Sequence, residues 1–240
     1  MREGSSLPMV GASMLSLHEE FAVCIERLLQ SLIADNGMKI QSVASRVKEE
    51  GSIQRKLLRK KKESREGADM TSLHDLAGVR VLLYFKSDVQ EIRDLLRREF
   101  HIVQELDVRK YYPHYHQSLG YAARHFVVTL SDHRRQFAEY RRFRALRCEI
   151  QVTTVLEHAW AEVEHDLYYK REEEEVAEEH LITLEREFAL IAGFIRQSDE
   201  RINKLGVLSK KQKYRRARGT VLEYFHTLAG SHPLSLTTQR

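Results

Sequence analysis

Cysteine, proline and glycine are scarce in this chain of 240 residues: 2, 3 and 11 respectively. Cys24 and Cys148 are far apart and have no metal-ligand spacing, so neither a disulfide framework nor a zinc site is expected, and a reducing, cytoplasmic setting is. So few prolines and glycines point to long regular elements, mostly helices. No apolar run approaches the roughly 18 residues of a membrane span, so no membrane partner is expected. The first fifteen residues lack the basic start and apolar core of a secretory signal. What the chain does have is charge, at 31%, beside an apolar fraction of 42%. That balance belongs to a globular protein able to bury a core without staples.

The net charge of +4 hides a segregated distribution. Residues 55–65 carry Arg55, Lys56, Arg59, Lys60, Lys61, Lys62 and Arg65 against Glu63 alone, and residues 210–218 carry six bases and no acid. Residues 162–187 between them are acidic, including Glu172 to Glu175. Such basic clusters suit a phosphate-rich ligand or RNA, and equally a solvated helix face.

Periodicity gives the organisation. Residues 14–34 have helical spacing, stopped by Asp35-Asn36-Gly37, and further helices are expected at 38–50 and from Ser52 to about Arg65. Val79 to Phe85 reads as a buried strand, and Ser87-Asp88 opens a helix with Val89, Ile92, Leu95, Leu96 and Phe100 inward. Strands are expected at 101–108, 121–130 and 144–153. A helix follows from Thr154, with Val155, Leu156, Ala159, Trp160, Val163 and Leu167 as its apolar positions and Trp160 in the core. A long helix to Leu205 carries a stripe of Leu181, Leu184, Phe188, Ile191 and Ile195, and a last helix spans 209–229. Helices, then a sheet, then helices make an α/β (α+β) domain: a central mixed sheet of four to five strands between helical flanks. The expected division is a flexible 1–13, a domain at 14–205, and a basic helix with loose tail at 206–240.

Three constellations bear on chemistry. In residues 44–60, Ser52, Lys56 and Arg59 share one helix face, with Arg46 and Lys48 just upstream, a set suited either to cradling phosphates or to an ordinary basic surface. Asp75 precedes the first strand, where it can hold Mg²⁺ or cap a turn, and Arg80 inside the apolar run needs a partner. Glu149 alternates with Ile150 and Val152 and so points away from the core. The helix after it carries His158, Glu162 and His165, whose spacing allows a metal site but lacks the HExxH order. His74-Asp75 has no companion cluster of the kind a metal phosphohydrolase needs.

In this order the motifs resemble the synthetase domain of the RelA/SpoT family of alarmone synthetases. The matching pieces are Arg46, Lys48, Ser52 and Lys56; Asp75 to Arg80 (DLAGVR); Gly120, Tyr121 and His125; and Glu149 to Gln151 continuing into WAEVEHDLYYK. The resemblance spans about residues 20–205, without the hydrolase domain of long members, as in a small stand-alone synthetase.

The resemblance implies a nucleotidyltransferase-like synthetase fold and transfer of the β,γ-pyrophosphate of ATP to a ribose 3′-hydroxyl, usually of GDP or GTP, giving (p)ppGpp. Arg46 and Arg80 would sandwich the adenine; Lys48, Ser52, Lys56 and Arg59 would grip the triphosphate. Asp75 and Glu149 would hold Mg²⁺, with Glu149 also taking the hydroxyl proton. Tyr121 would stack on the acceptor base, with Arg124, His125, Gln151 and His158 around the acceptor. Two family arginines are replaced, by Ala122 and Thr153, so the acceptor is open between a guanosine nucleotide, an adenosine nucleotide and the 3′ end of tRNA, and an inactive nucleotide- or RNA-binding module is the remaining alternative. RNA at the two basic clusters and a homo-oligomer are further expected partners.

Overall fold

The computed structural model describes residues 12–47, 76–109, 122–169 and 178–230. Helix α1 (Ala12–Asp35) turns one apolar side inward, burying Phe21, Ala22, Ile25, Leu29 and Ile33. Gly37 ends it with φ +63°, the left-handed conformation that glycine adopts without steric cost, while Met38 N donates to Ile33 O at 3.1 Å.

Among the described residues five strands follow: β1 (Ser42–Val47), β2 (Ala77–Leu83), β3 (Phe100–Arg109), β4 (Ala122–Leu130) and β5 (Cys148–Thr154), in the sheet order β1-β2-β5-β4-β3. Only β2 and β5 run parallel, so the sheet is mixed, as the sequence reading expects. Helix α2 (Asp88–Glu99) sits between β2 and β3 and buries Ile92, Leu95 and Leu96. A short helix, α3 (Asp132–Arg135), and a 3₁₀ turn at Ala138–Phe143 join β4 to β5. Helix α4 (Val155–Tyr169) leaves β5 directly, and α5 (Glu178–Gly230) closes the described chain.

The sheet separates a core from a site. Val79, Val81, Ile150, Val152, Phe126 and Val128 share one cluster with α1 and α2, so this face is the hydrophobic core. On the other face α4 approaches β2, anchored by Trp160, whose ring meets Phe188 of α5 edge-on at 5.8 Å. At roughly 1.5–3 kcal/mol per fully buried aliphatic or aromatic side chain, the first face is what fixes strand register.

Four expectations are corrected. Residues 42–47 form a strand rather than part of a helix at 38–50: Val43 is buried against α1 and the backbone ladders onto β2, so sheet pairing overrides a weak local pattern. Residues 144–147 precede β5 as a turn, not strand. The two C-terminal helices are one, because Gly206 does not break α5. It lets the helix lie on Phe85, whose ring atoms would be only 2.4 Å from a Cβ at that position. Finally, Leu184, Ile191, Val163 and Leu167 are exposed, and α4 and α5 meet instead through Trp160, Phe188, Ala189, Ala192 and Ile195.

Candidate active site

Two rows of side chains cross the open face of the sheet. Strand pairing sets Arg46 opposite Gly78, Gly78 opposite Glu149, and Glu149 opposite Val127. Two residues along, Ala44, Arg80, Gln151 and His125 are aligned in the same way. Ladder partners point to the same face and so do residues two apart, so Arg46, Arg80, Glu149, Gln151 and His125 all stand together. None of these positions is adjacent in sequence to another.

Glu149 is held from two sides. Gln151 Nε2 donates to its Oε2 at 2.8 Å, and His125 Nδ1 lies 3.0 Å from its Oε1. The carboxylate side chain is 15% exposed, so it reaches the open face without being free in solvent. His125 Nε2 is buried with no hydrogen-bond partner among the described residues, a condition that a bound polar group would relieve.

Arg46 and Arg80 flank Gly78. The Arg46 side chain runs across the glycine, its Cγ 3.3 Å from where a Cβ would stand, so the missing side chain makes room for it. Arg80 finds the partner its burial demands on α4: Nη1 donates to Glu162 Oε1 at 3.0 Å and to His158 Nε2 at 3.2 Å. Accepting from arginine requires a neutral imidazole with its proton on Nδ1, which lies 3.6 Å from Glu162 Oε1. Burial and the neighbouring Arg80 push the His158 pKa down, against an upward pull from Glu162.

Arg124 stands elsewhere. It opposes Val152, on the core-side parity, and its guanidinium pairs with Asp107 at 3.2 Å and reaches Glu105 at 3.9 Å. Lys48, Ser52, Lys56, Arg59, Asp75 and Tyr121 lie outside the described residues. Among the described residues no group of three or more His, Cys, Asp or Glu could hold a metal, so the His158, Glu162, His165 alternative finds no support. The sequence points to Glu162 only as a possible metal ligand beside His158 and His165; its pairing with Arg80 is what that reading missed. The signals were its place one helical turn after His158 and an Arg80 that could not be buried alone.

Residues 45–174 match the family model described as "Region found in RelA / SpoT proteins". The chain belongs to the RelA/SpoT family. Both rows of the site fall within or immediately beside that region. Two curated relatives from Bacillus subtilis (strain 168) are similar to this RelA/SpoT chain: GTP pyrophosphokinase YwaC, 32% identical over 133 residues, and GTP pyrophosphokinase YjbM, 31% identical over 143. The matches take in 55% and 57% of this chain, and the chain spans 59% and 60% of the length of these relatives. The fold is that of the small alarmone synthetase 1 from Bacillus subtilis, with a TM-score of 0.65 at 21% identity over 83% of this chain and 97% of that one. The same synthetase, bound to its product pppGpp, superposes with a TM-score of 0.62 at 23% identity over 80% of this chain and 94% of that one.

Proposed function

We propose that this RelA/SpoT protein is an ATP-dependent pyrophosphokinase that moves the β,γ-pyrophosphate of ATP onto the ribose 3′-hydroxyl of GDP or GTP, making (p)ppGpp. The observation that carries this reading is the double row on the open sheet face, where two arginines flank the glycine that faces Glu149. The relatives' names as GTP pyrophosphokinases support it.

In this reading the faces of Arg46 and Arg80 bracket the adenine, as planar guanidinium groups can and ammonium groups cannot. Lys48, Ser52, Lys56 and Arg59 take the triphosphate. The 3′-oxygen attacks the β-phosphorus, the bond from that phosphorus to the α,β-bridging oxygen breaks, and AMP leaves. Glu149 receives the hydroxyl proton, its carboxylate held in place by Gln151 and His125. Asp75 and Glu149 would hold Mg²⁺, a hard cation that takes few carboxylates and several phosphate oxygens. When bound, it neutralises charge developing on the phosphates. In this reading Tyr121 stacks on the acceptor base, and His125 and His158 contact the acceptor.

A second reading keeps the chemistry and changes the acceptor to an adenosine nucleotide or the 3′ end of tRNA. The observation favouring it is the altered cation set: Ala122 and Thr153 stand where the family has arginine, and Arg124, two residues on from Ala122, is ion-paired to Asp107. RNA contact through residues 55–65 and 210–218 would accompany it. A cytoplasmic setting fits both readings, and no helix among the described residues is long and apolar enough to cross a membrane. Self-association would use the outward side of α5, where Phe194, Leu205 and Leu208 are exposed. Incubation with labelled ATP and, separately, GDP, GTP, ADP and bulk tRNA decides among these readings. Label on GDP or GTP supports the first, label on ADP or tRNA the second, and no transfer to any of them overturns both.

A further inference from the structure

Arg80 sits within the apolar strand β2, yet its guanidinium leaves the sheet to meet α4. One nitrogen, Nη1, serves both Glu162 and His158, which lie one helical turn apart. We propose that Glu162 is the positioning residue for Arg80, and that His158, bound to the same guanidinium nitrogen, couples occupancy of the ATP half of the site to occupancy of the acceptor half. This rests on the assignment above of Arg80 to the adenine and His158 to the acceptor.

Orientation is the reason for a partner here. A guanidinium stacks on a base through its flat face, so rotation about its terminal bonds decides whether it can receive adenine at all. Two acceptors on one nitrogen fix that rotation, with Glu162 supplying the charge and His158 the direction. Stability is a poor alternative explanation. The Arg80 side chain is 23% exposed and that of Glu162 61%, and an ion pair so open to water adds little to folding.

The link to the acceptor follows from the histidine's hydrogen bonds. His158 Nε2 spends its lone pair on Arg80, and Nδ1 faces Glu162. The lowered His158 pKa keeps the ring neutral in that role. A base docking against His158 alters the same hydrogen-bond set that fixes the Arg80 plane, so the two ligands share one free energy and each must change the other's affinity by an equal factor.

The test is calorimetric binding of the ATP analogue AMPCPP and of GDP, each alone and each with the other saturating, alongside steady-state kinetics and thermal melts. Wild type should bind AMPCPP about fivefold or more differently with GDP present. Glu162→Gln should weaken AMPCPP about three- to tenfold, more than it weakens GDP in the absence of AMPCPP, leave the melting temperature unchanged, and be partly rescued by Glu162→Asp. His158→Ala should bring the coupling factor to one. Equal loss of AMPCPP and GDP affinity together with a lowered melt would make Glu162 merely structural. Wild-type AMPCPP affinity in Glu162→Gln would overturn the positioning role, and an uncoupled wild type would overturn the linkage. If wild type transfers pyrophosphate and Glu162→Gln is silent, this inference fails and the proposed function stands. If wild type transfers nothing and Glu162→Gln still weakens AMPCPP, the function fails and the positioning stands.

Discussion

Gln151 and Glu149 lie on the same face of β5, one strand repeat apart, and the Gln151 amide donates to the Glu149 carboxylate at 2.8 Å. This contact fixes the direction of the group assigned to take the acceptor's proton, while His125 fixes the other oxygen. Gln151→Ala should therefore lower kcat by about tenfold with the ATP KM within about twofold, because a mis-aimed base loses part of the 10²–10⁴-fold that general-base catalysis contributes. Gln151→Glu should do worse, since a second carboxylate raises the pKa of the first. Steady-state kinetics across pH 6–9 on the two variants, a range of about three units around neutrality, checks both. An unaltered kcat in Gln151→Ala would remove the positioning role.

Gly78 makes room for Arg46. A Cβ there would stand 3.3 Å from Arg46 Cγ and 3.4 Å from its carbonyl oxygen. Gly78→Ala is expected to displace the arginine side chain, raising the ATP KM several-fold with the acceptor KM unchanged. Titrating each substrate separately shows whether the effect is confined to ATP.

Gly206 carries α5 over Phe85 with a space too small for a methyl group. Gly206→Ala should cost about 1–3 kcal/mol through overpacking, outweighing the helix propensity gained. The companion Phe85→Leu should recover part of that loss, because contacting residues are non-additive. Chemical denaturation of both single variants and the double variant measures the interaction, and strict additivity would mean that the ring is not what the new methyl group meets.

The pH dependence of stability carries a sign set by His158. Its folded pKa lies below the ordinary value of 6.5, chiefly through burial and then through Arg80. The unfolded chain takes up the proton first as pH falls, so stability is full above about 6.5 and declines as pH drops from there towards the folded value. His158→Asn should flatten this part of the profile relative to wild type. Parallel thermal melts between about pH 7.5 and 5 provide the comparison, and identical slopes would contradict it.

The fold was legible where burial is two-sided or periodic. Val79, Val81, Ile150 and Val152 announce their strands by β-branched apolar runs, and Phe21, Ile25 and Leu29 their helix by spacing. Strand β1 was not legible, because SVASRV is short and becomes a strand only by pairing with β2. The continuity of α5 was hidden by Gly206, whose role depends on a ring 121 residues away in sequence. At the site, the outward direction of Glu149 follows from strand alternation alone. The Glu162 partnership does not, because it depends on how α4 is laid over β2. Arg124 was not legible as an ion-paired residue either, because Glu105 and Asp107, which decide where its charge goes, come to it from the neighbouring strand β3.

In the proposed function Glu149 takes the proton from a ribose 3′-hydroxyl as pyrophosphate moves from ATP. The most direct test of that role compares wild type with Glu149→Gln, incubated with ATP and GDP or GTP, counting AMP and the 3′-diphosphorylated nucleotide by mass spectrometry. Wild type should form one AMP per 3′-diphosphate, and Glu149→Gln should lose both products by about 10²-fold or more with AMPCPP still bound within a few-fold. Turnover in Glu149→Gln at the wild-type rate, or AMP formed without any 3′-diphosphate on an acceptor, would contradict it.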